Sequence, residues 1–290
     1  MPWTYSTDVT EYEAAAGALL RSDAARHTIG ATVLDQALRR GEPLDPPELY
    51  AWWRDEQGGQ NGVTGCASIT PPWPVLLESV PEEALRPLVD GLRAGDHDVT
   101  GVNGPNEVAA TFATLWQAAS GDRVLLHTAS RLFALKTLRE PQHPAAGFPR
   151  LATEADIVLC IDWYVRFGEE THGIMPRVEE NVRSRLELDG LWLWCDSGGE
   201  PVSLVGHSNP VDRVARVGPV YTPADRRGNG YAESLTHAVS KALVADGRRL
   251  VLFTDQANPT SNGIYTRLGY RPVMDRLMLT FEPSHAEPAH

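Results

Sequence analysis

Short apolar runs alternate with amphipathic stretches most clearly in the second half of the chain. Residues 190–196 and 201–207 are predicted as paired strands across the turn Ser197-Gly-Gly-Glu-Pro201. Residues 213–222 form a third strand. Leu235, Val239, Ala242 and Leu243 share one face of a helix expected over 232–246. A compact apolar strand follows at 249–254. A further helix runs from Asn258 to Leu268, with Pro259 in its first turn and Gly269 just past its end. Strand-like alternation over 271–281 closes the pattern. Upstream, Thr153-Glu-Ala-Asp156 caps a helix expected over 153–171, where Ile157, Cys160, Ile161, Tyr164, Val165 and Phe167 fall near helical spacing. A short helix over 177–188 follows it.

The first half repeats this order more faintly. Helices are expected over 10–20 and 24–39, and a strand pair over 49–55 and 62–70 around Gly58-Gly59. A helix over 82–92, a short strand over 99–102, a helix over 106–119 and a strand starting at Arg123 follow. The similar order suggests an internal duplication. The Pro- and Gly-rich stretch Glu140-Pro-Gln-His-Pro-Ala-Ala-Gly-Phe-Pro149 has no periodicity and reads as the linker. The expected domains are 1–140 and 141–290.

Composition narrows the possibilities. The 290 residues suit two domains, and 42% hydrophobic with 22% charged residues is ordinary for a soluble globular protein. A net charge of −12 argues against nucleic acid as a partner. No apolar run reaches the roughly 20 residues needed to span a bilayer, so no membrane role is expected. The opening Met-Pro-Trp-Thr-Tyr-Ser lacks the pattern of a signal peptide. Cys66, Cys160 and Cys195 are too scattered for a disulfide framework or a zinc site and read as small apolar groups. A reducing cytoplasm fits. Glu169 and His172 are helix-spaced, but no third ligand accompanies them and no metal is expected.

Chemistry concentrates at one point. The strand ending at Thr222 runs into Asp225-Arg-Arg-Gly-Asn-Gly230, and a helix starts at once. Such a turn aims free backbone N–H groups and a helix N-terminus at one place, which suits an anion, above all phosphate. Gly228 and Gly230 allow close backbone approach, and Arg226 and Arg227 add positive charge. The glycine-bearing turn expected at Gly101-Val-Asn-Gly-Pro105 of the first half has no arginine pair, so one anion site is expected at most.

These residues resemble the GCN5-related N-acetyltransferase superfamily, whose pyrophosphate signature is Gln/Arg-x-x-Gly-x-Gly/Ala. Residues 225–230 match it except at the first position, where Asp stands; that removes one side-chain role and leaves the backbone cradle. Residues 254–270, with Asn258, Asn262, Tyr265 and Gly269-Tyr270, look like its second signature, Asn…Tyr-x-x-x-Gly-Phe/Tyr. The resemblance covers about 148–282. It implies an α/β fold of two tandem domains, each a mixed, mostly antiparallel sheet flanked by helices, with the first a degenerate copy.

The resemblance further implies acetyl-CoA in a gap between the strands ending at Thr222 and near Asp255. Gly218, Val220, Tyr221 and Thr222 would line the pantetheine arm. Backbone N–H groups across Arg227, Gly228, Asn229, Gly230, Tyr231 and Ala232 would hold the diphosphate, with Arg226 beside them. Asn258 and Asn262 would offer amide contacts. Tyr265 matches the usual acid, which protonates the departing thiolate after direct attack by an amine. Arg216 stands where relatives often carry a base; it either holds a carboxylate of the acceptor or pairs with a nearby acid. His207, Glu169, Glu170 or ordered water remain candidates for the base, and Glu170, like Arg216, is a candidate contact to the acceptor. Trp163 and Tyr164 either line an acceptor pocket or pack the core. The expected function is N-acetylation of a small primary amine such as an amino acid, an amino-sugar or an amine antibiotic. The alternative is a module that binds acetyl-CoA or an amine without turnover. A nucleotide-binding protein is disfavoured, because the turn lacks a Lys-Ser/Thr pair.

Overall fold

In the computed structural model, residues 3–55, 62–171, 173 and 175–284 are described. The first ten elements are β1 (Trp3–Ser6), α1 (Val9–Ser22), α2 (Thr28–Arg40), β2 (Leu49–Arg54), β3 (Val63–Ile69), β4 (Val75–Glu78), α3 (Glu82–Ala94), β5 (Gly101–Pro105), α4 (Asn106–Ser120) and β6 (Arg123–Leu135). The remainder are β7 (Phe148–Leu151), α5 (Ile157–Thr171), α6 (Val178–Glu187), β8 (Leu191–Cys195), β9 (Pro201–His207), β10 (Val214–Tyr221), α7 (Tyr231–Ala245), β11 (Arg249–Asp255), α8 (Pro259–Leu268) and β12 (Tyr270–Glu282). Gly58-Gly59 and His172 lie outside the described residues.

Two compact units result. One comprises residues 3–131 with 274–284, and the other is Leu132–Val273. They differ from contiguous segments 1–140 and 141–290 because the end of the chain belongs to the first unit. There β12 pairs antiparallel with β5, from Arg276 opposite Pro105 to Thr280 opposite Gly101. Gly101 permits that approach, since a Cβ there would lie 2.1 Å from the Leu279 carbonyl oxygen. The stretch 101–105 is therefore a strand, not a turn. The expected linker is corrected too. Residues 140–147 belong to the second unit, where Ala145 N–H donates to Ser234 Oγ of α7 at 2.8 Å and Trp194 Nε1 donates to the Ala146 carbonyl at 3.0 Å. Phe148 and Pro149 already lie in β7.

In the first unit the strand order is β1-β2-β3-β4-β5-β12. Only β4 and β5 pair parallel; β1–β2, β2–β3, β3–β4 and β5–β12 are antiparallel. Both faces are covered, so strands are apolar on both sides. Along β2, Ala51 and Trp53 enter one core with Leu77, Leu88 and Phe112, while Tyr50 and Trp52 enter another with Tyr12, Leu20 and Leu34. The second unit repeats this plan. Its order runs β11-β10-β9-β8-β7, with β10 and β11 parallel and the other neighbours antiparallel. Along β8, Leu191 and Leu193 pack with Cys160, Trp163 and Val182, whereas Trp194 packs with Leu235, Val239 and Leu252 on the other face. All three cysteines are buried and unpaired, as small core residues; burial pushes the Cys66 and Cys160 thiols up to about 12.

Local signals explain most helix ends. Asp8 caps α1 by accepting from Thr10 N–H at 2.7 Å. Thr153 and Asp156 form the expected capping box before α5. Arg150 grips Asp156 with two 2.7 Å bonds and holds its carboxyl down at about 2. Gly269 closes α8 at φ +100°. Among the described residues, no helix is long and apolar enough to cross a membrane.

Candidate functional site

In the second unit, β10 and β11 stay paired from Val214 opposite Arg249 to Val217 opposite Leu252, and the pairing goes no further. On its other edge β10 shifts register by one residue against β9 between Val217 and Val220, the signature of a bulge. Gly218 lies inside the bulge at φ +145°, a backbone region that disfavours any side chain. Nothing stands within 4 Å of where a Cβ at Gly218 would sit. Several backbone groups expected to meet a ligand already have partners. The Gly218 carbonyl accepts from Arg185 Nη1 at 2.8 Å, the Tyr221 carbonyl from Ser203 Oγ at 3.0 Å, and the Thr222 carbonyl from Arg227 Nε at 2.9 Å.

Beyond β10, residues 222–230 carry the chain to α7. Gly228 and Gly230 both adopt positive φ, +82° and +76°. Gly230 is the N-cap of α7 and provides no side-chain cap, so the first-turn N–H groups at Tyr231 and Ala232 are left without one. A Cβ at Gly228 would meet nothing within 4 Å. The turn is braced from within, because Asn229 Nδ2 donates to the carbonyls of Arg226 and Arg227 at 3.0 and 3.2 Å. Glu233, the one acid in the first helical turn, is neutralised by Arg267 through bonds of 3.1 and 2.7 Å.

The arginines of the turn are not bare charges. Arg226 pairs with Glu200 at 3.3 Å and Asp225 at 3.5 Å. Arg227 is bound to Glu170 at the end of α5, and Glu170 also accepts from the Tyr221 hydroxyl at 3.0 Å. Partial burial opposes the charge on Glu170, but the hydrogen bonds from Arg227 and Tyr221 outweigh it and hold the carboxyl below its ordinary value. Sequence reasoning placed Glu170 near an acceptor; here it meets the anion turn itself.

The asparagines have structural partners. Asn258 caps α8, its Oδ1 accepting from Ser261 N–H at 3.0 Å. Asn262 donates from Nδ2 to the carbonyls of Asn258 at 2.8 Å and Asp255 at 3.1 Å. Tyr265 is buried edge-on against Tyr270, ring centroids 6.1 Å apart, and packs with Leu235, Leu252 and Leu268. Burial first, then the neighbouring Tyr270, pushes its phenol above its ordinary range. Tyr270 in turn shares a 2.7 Å bond with Ser240.

On the opposite face of the sheet, Trp163 and Tyr164 pack in the core with Leu193, Leu204 and Tyr221. Arg216 lies within the paired stretch of β10, its N–H and carbonyl both bonded to Ser208. His207 sits opposite Val217, with Nδ1 3.1 Å from the Ser208 carbonyl; burial lowers its pKa, and the Arg185 charge adds to the effect. Sequence reasoning missed Arg185. The signal was helical spacing, since Val178, Val182 and Arg185 recur at i, i+4 and i+7 and Val182 is fully buried. Among the described residues, no group of three or more His, Cys, Asp or Glu side chains is arranged to hold a metal ion.

A family model described as FR47-like protein matches residues 200–278. A GNAT-family acetyltransferase from Colwellia psychrerythraea superposes with a TM-score of 0.60 at 10% identity, covering 98% of this chain and all of that one. A GCN5-related N-acetyltransferase from Sphaerobacter thermophilus gives 0.59 at 14% identity, with 96% and 95% covered. A tandem GNAT protein from the clavulanic acid biosynthesis pathway gives 0.55 at 12% identity, with 99% and 100% covered. No curated protein matches the sequence. The chain thus has the α/β fold of the GCN5-related N-acetyltransferase superfamily. Within each unit the strand pairing is mixed and mostly antiparallel with helices on both faces, and the match to the tandem GNAT structure runs over nearly the whole chain, in keeping with the repeated element order of the sequence.

Proposed function

We propose that the second unit is an acetyl-CoA-dependent N-acyltransferase acting on a small primary amine. One observation carries the reading. Where β10 parts from β11, the chain turns through two positive-φ glycines into a helix whose first N–H groups have no side-chain cap. Open space at Gly228, a neutralised Glu233 and two adjacent arginines suit that cradle to a diphosphate. Acetyl-CoA, when bound, supplies a thioester that an amine can attack directly, releasing a thiol.

The chain's own residues then have distinct tasks. The N–H groups from Gly228 to Ala232 hold the diphosphate, and Arg227 leaves Glu170 to face it. The bulge at Gly218 gives an arm of amide groups room against the strand. Tyr265, kept protonated by its raised pKa, donates a hydrogen bond to the departing sulfur. Its raised pKa favours donation without full proton transfer, so the departing thiolate would take its proton from water. His207 and Glu170 are both committed to protein partners, which favours water as carrier of the ammonium proton.

Calorimetry with acetyl-CoA, ATP and NAD, followed by thiol release over a panel of amines, tests the reading. Selective binding of acetyl-CoA with amine-dependent thiol release is the expected result. Binding without release for any amine would support the sequestering module instead, and absence of acetyl-CoA binding would end the acyltransferase reading and leave only a module that binds an amine.

A further inference from the structure

Beside the bulge in β10 lies a group of side chains with too many donors. Arg185 of α6 reaches across to Gly218, where Nη1 donates to the carbonyl at 2.8 Å. Its guanidinium carbon lies 6.0 Å from the ring centroid of Tyr164. Tyr164 is 2% exposed, and its hydroxyl is buried with no hydrogen-bond partner. Burial pushes that phenol up to about 12, with the Arg185 charge opposing, so it remains a donor at neutral pH. The two groups converge on Gly206. A Cβ there would stand 2.8 Å from the Tyr164 hydroxyl, 2.9 Å from Arg185 Nη1 and 3.2 Å from the Gly218 carbonyl oxygen. Glycine at 206 is therefore what admits them.

A guanidinium offers five N–H donors and no acceptor. Here one donor meets a neutral carbonyl, and among the described residues no carboxylate reaches the group. Arg150, Arg227 and Arg267 of this unit each hold a carboxylate, whereas Arg213 and Arg271, like Arg185, bond to backbone carbonyls. A half-buried guanidinium and a buried phenol, short of an acceptor, next to open space at Gly218, call for an anion from outside. The site lies on the sheet face opposite α7, about one residue from where the pairing of β10 and β11 ends. Arg216 stands earlier, inside the paired stretch.

We infer that Arg185 is a specificity residue that takes the carboxylate of the acceptor, so that the acceptor is an amine carrying a carboxylate, as an amino acid does. The outer edge of the guanidinium receives the carboxylate. Tyr164 lies under the guanidinium and is a positioning residue. This rests on the acyltransferase reading above and narrows its acceptor class.

The test pairs each of several L-amino acids with the amine left by removing its carboxyl group: alanine with ethylamine, phenylalanine with phenethylamine, lysine with cadaverine. Thiol release is followed for each pair, and binding is measured by calorimetry on protein already saturated with coenzyme A. The expected wild-type result is a preference of at least about tenfold in kcat/KM for the carboxylate members, matching one lost charge-assisted bond. Arg185→Gln, which can still donate to the Gly218 carbonyl, should erase that preference, the ratio between the paired members falling to about one mainly through KM. Arg185→Lys should restore part of it, a recovery that a purely structural role would not produce. Equal use of both members by the wild type, or a preference that survives Arg185→Gln, overturns the inference. If no amine is turned over, equal calorimetric affinity for both members overturns it in the same way. Failure to bind acetyl-CoA would instead strike the acyltransferase reading itself.

Discussion

The two units handle the same topological event in opposite ways. In each, a strand pairs parallel with its neighbour, parts from it, and connects to a helix. In the first unit β4 parts from β5 after Leu76 opposite Asn103. Only Ser79, Val80 and Pro81 then lead into α3, which opens with Glu82 and Glu83. Two acids in a first helical turn repel an anion. The place where the strands part is filled by the protein itself. Arg276 of β12 bonds to Glu78 at 3.0 Å, to Asn103 at 3.2 Å and to the Leu77 carbonyl at 3.4 Å, and the ion pair is 1% and 2% exposed. In the second unit the corresponding connection spans 222–230, carries two positive-φ glycines, and leaves open space at Gly218 and Gly228. A duplicated scaffold thus separates into one copy plugged by an arginine and one suited to receive a ligand. The difference lies in one connection and one buried side chain, while the strand plan is common to both.

The largest effect that would break this contrast comes from the plug. Arg276→Met strands Glu78 without its cation inside the first unit and should cost about 3–5 kcal/mol in urea unfolding. Joint replacement with Glu78→Leu should recover most of the loss, because the desolvation cost of the pair disappears with it. The folded variant should keep its acetyl-CoA affinity, since the plug sits in the other unit; loss of binding without unfolding would show that the first unit holds a ligand after all.

Next in size is the cradle. Gly228→Asp and Gly228→Asn place side chains of similar shape at φ +82°, a region both tolerate better than most residues. The Asp variant should weaken coenzyme A by about a hundredfold through charge, and the Asn variant by only a few-fold, as read by calorimetry. The same Asp at Ser79, which also has positive φ and begins the short connection of the first unit, should leave the affinity unchanged. Equal loss at both positions would erase the asymmetry.

Most of the second unit was legible in the sequence because its signals are local. Pro259, Asn258 and Gly269 bracket α8 as their chemistry dictates, and the glycines at 228 and 230 sit where a tight turn needs them. The misses are non-local. β1, β4 and β7 are four residues each and too short for their periodicity to stand out. β5 reads as a turn because glycine and proline punctuate it; only its contact with the Leu279 carbonyl, far away in sequence, explains Gly101. The return of β12 to the first unit leaves no trace in composition. At the site, the residue types were visible, but not that Glu170 would engage Arg227, nor that Arg185 would reach the bulge from α6. Side-chain pairing between elements carries no sequence period.

Tyr265 tests whether the second unit is a catalyst as well as a cradle. Tyr265→Phe should lower turnover by about ten- to a hundredfold with acetyl-CoA affinity nearly intact. Burial holds the phenol above the ordinary value of about 10, so the wild-type hydroxyl keeps its proton throughout neutral and mildly alkaline pH. The rate profile over roughly pH 6–9 should therefore change in height and not in shape on substitution. An alkaline break that vanishes in the Phe variant would show that Tyr265 titrates in this range, and unchanged turnover would remove it from the reaction.

The smallest expected effect concerns the latch on the cradle. Glu170 binds Arg227 and Tyr221, so an incoming diphosphate must compete with a carboxylate for the same guanidinium. Both partners are about half exposed, and solvent screening keeps the pair weak. Glu170→Gln should then tighten coenzyme A by about two- to fivefold and steepen the salt dependence of binding, because a freed Arg227 meets the anion with its full charge. The carboxyl's pKa is lowered in the fold, so its contribution to stability is present above the unfolded value of about 4.3 and is lost as pH falls through the folded one. The competition should accordingly persist through neutral and mildly acidic pH and fade only below that unfolded value. A Gln variant that binds more weakly than wild type would mean that Glu170 positions Arg227 for the ligand, and the contrast between an open cradle and a plugged one would then have to include an acid on the open side.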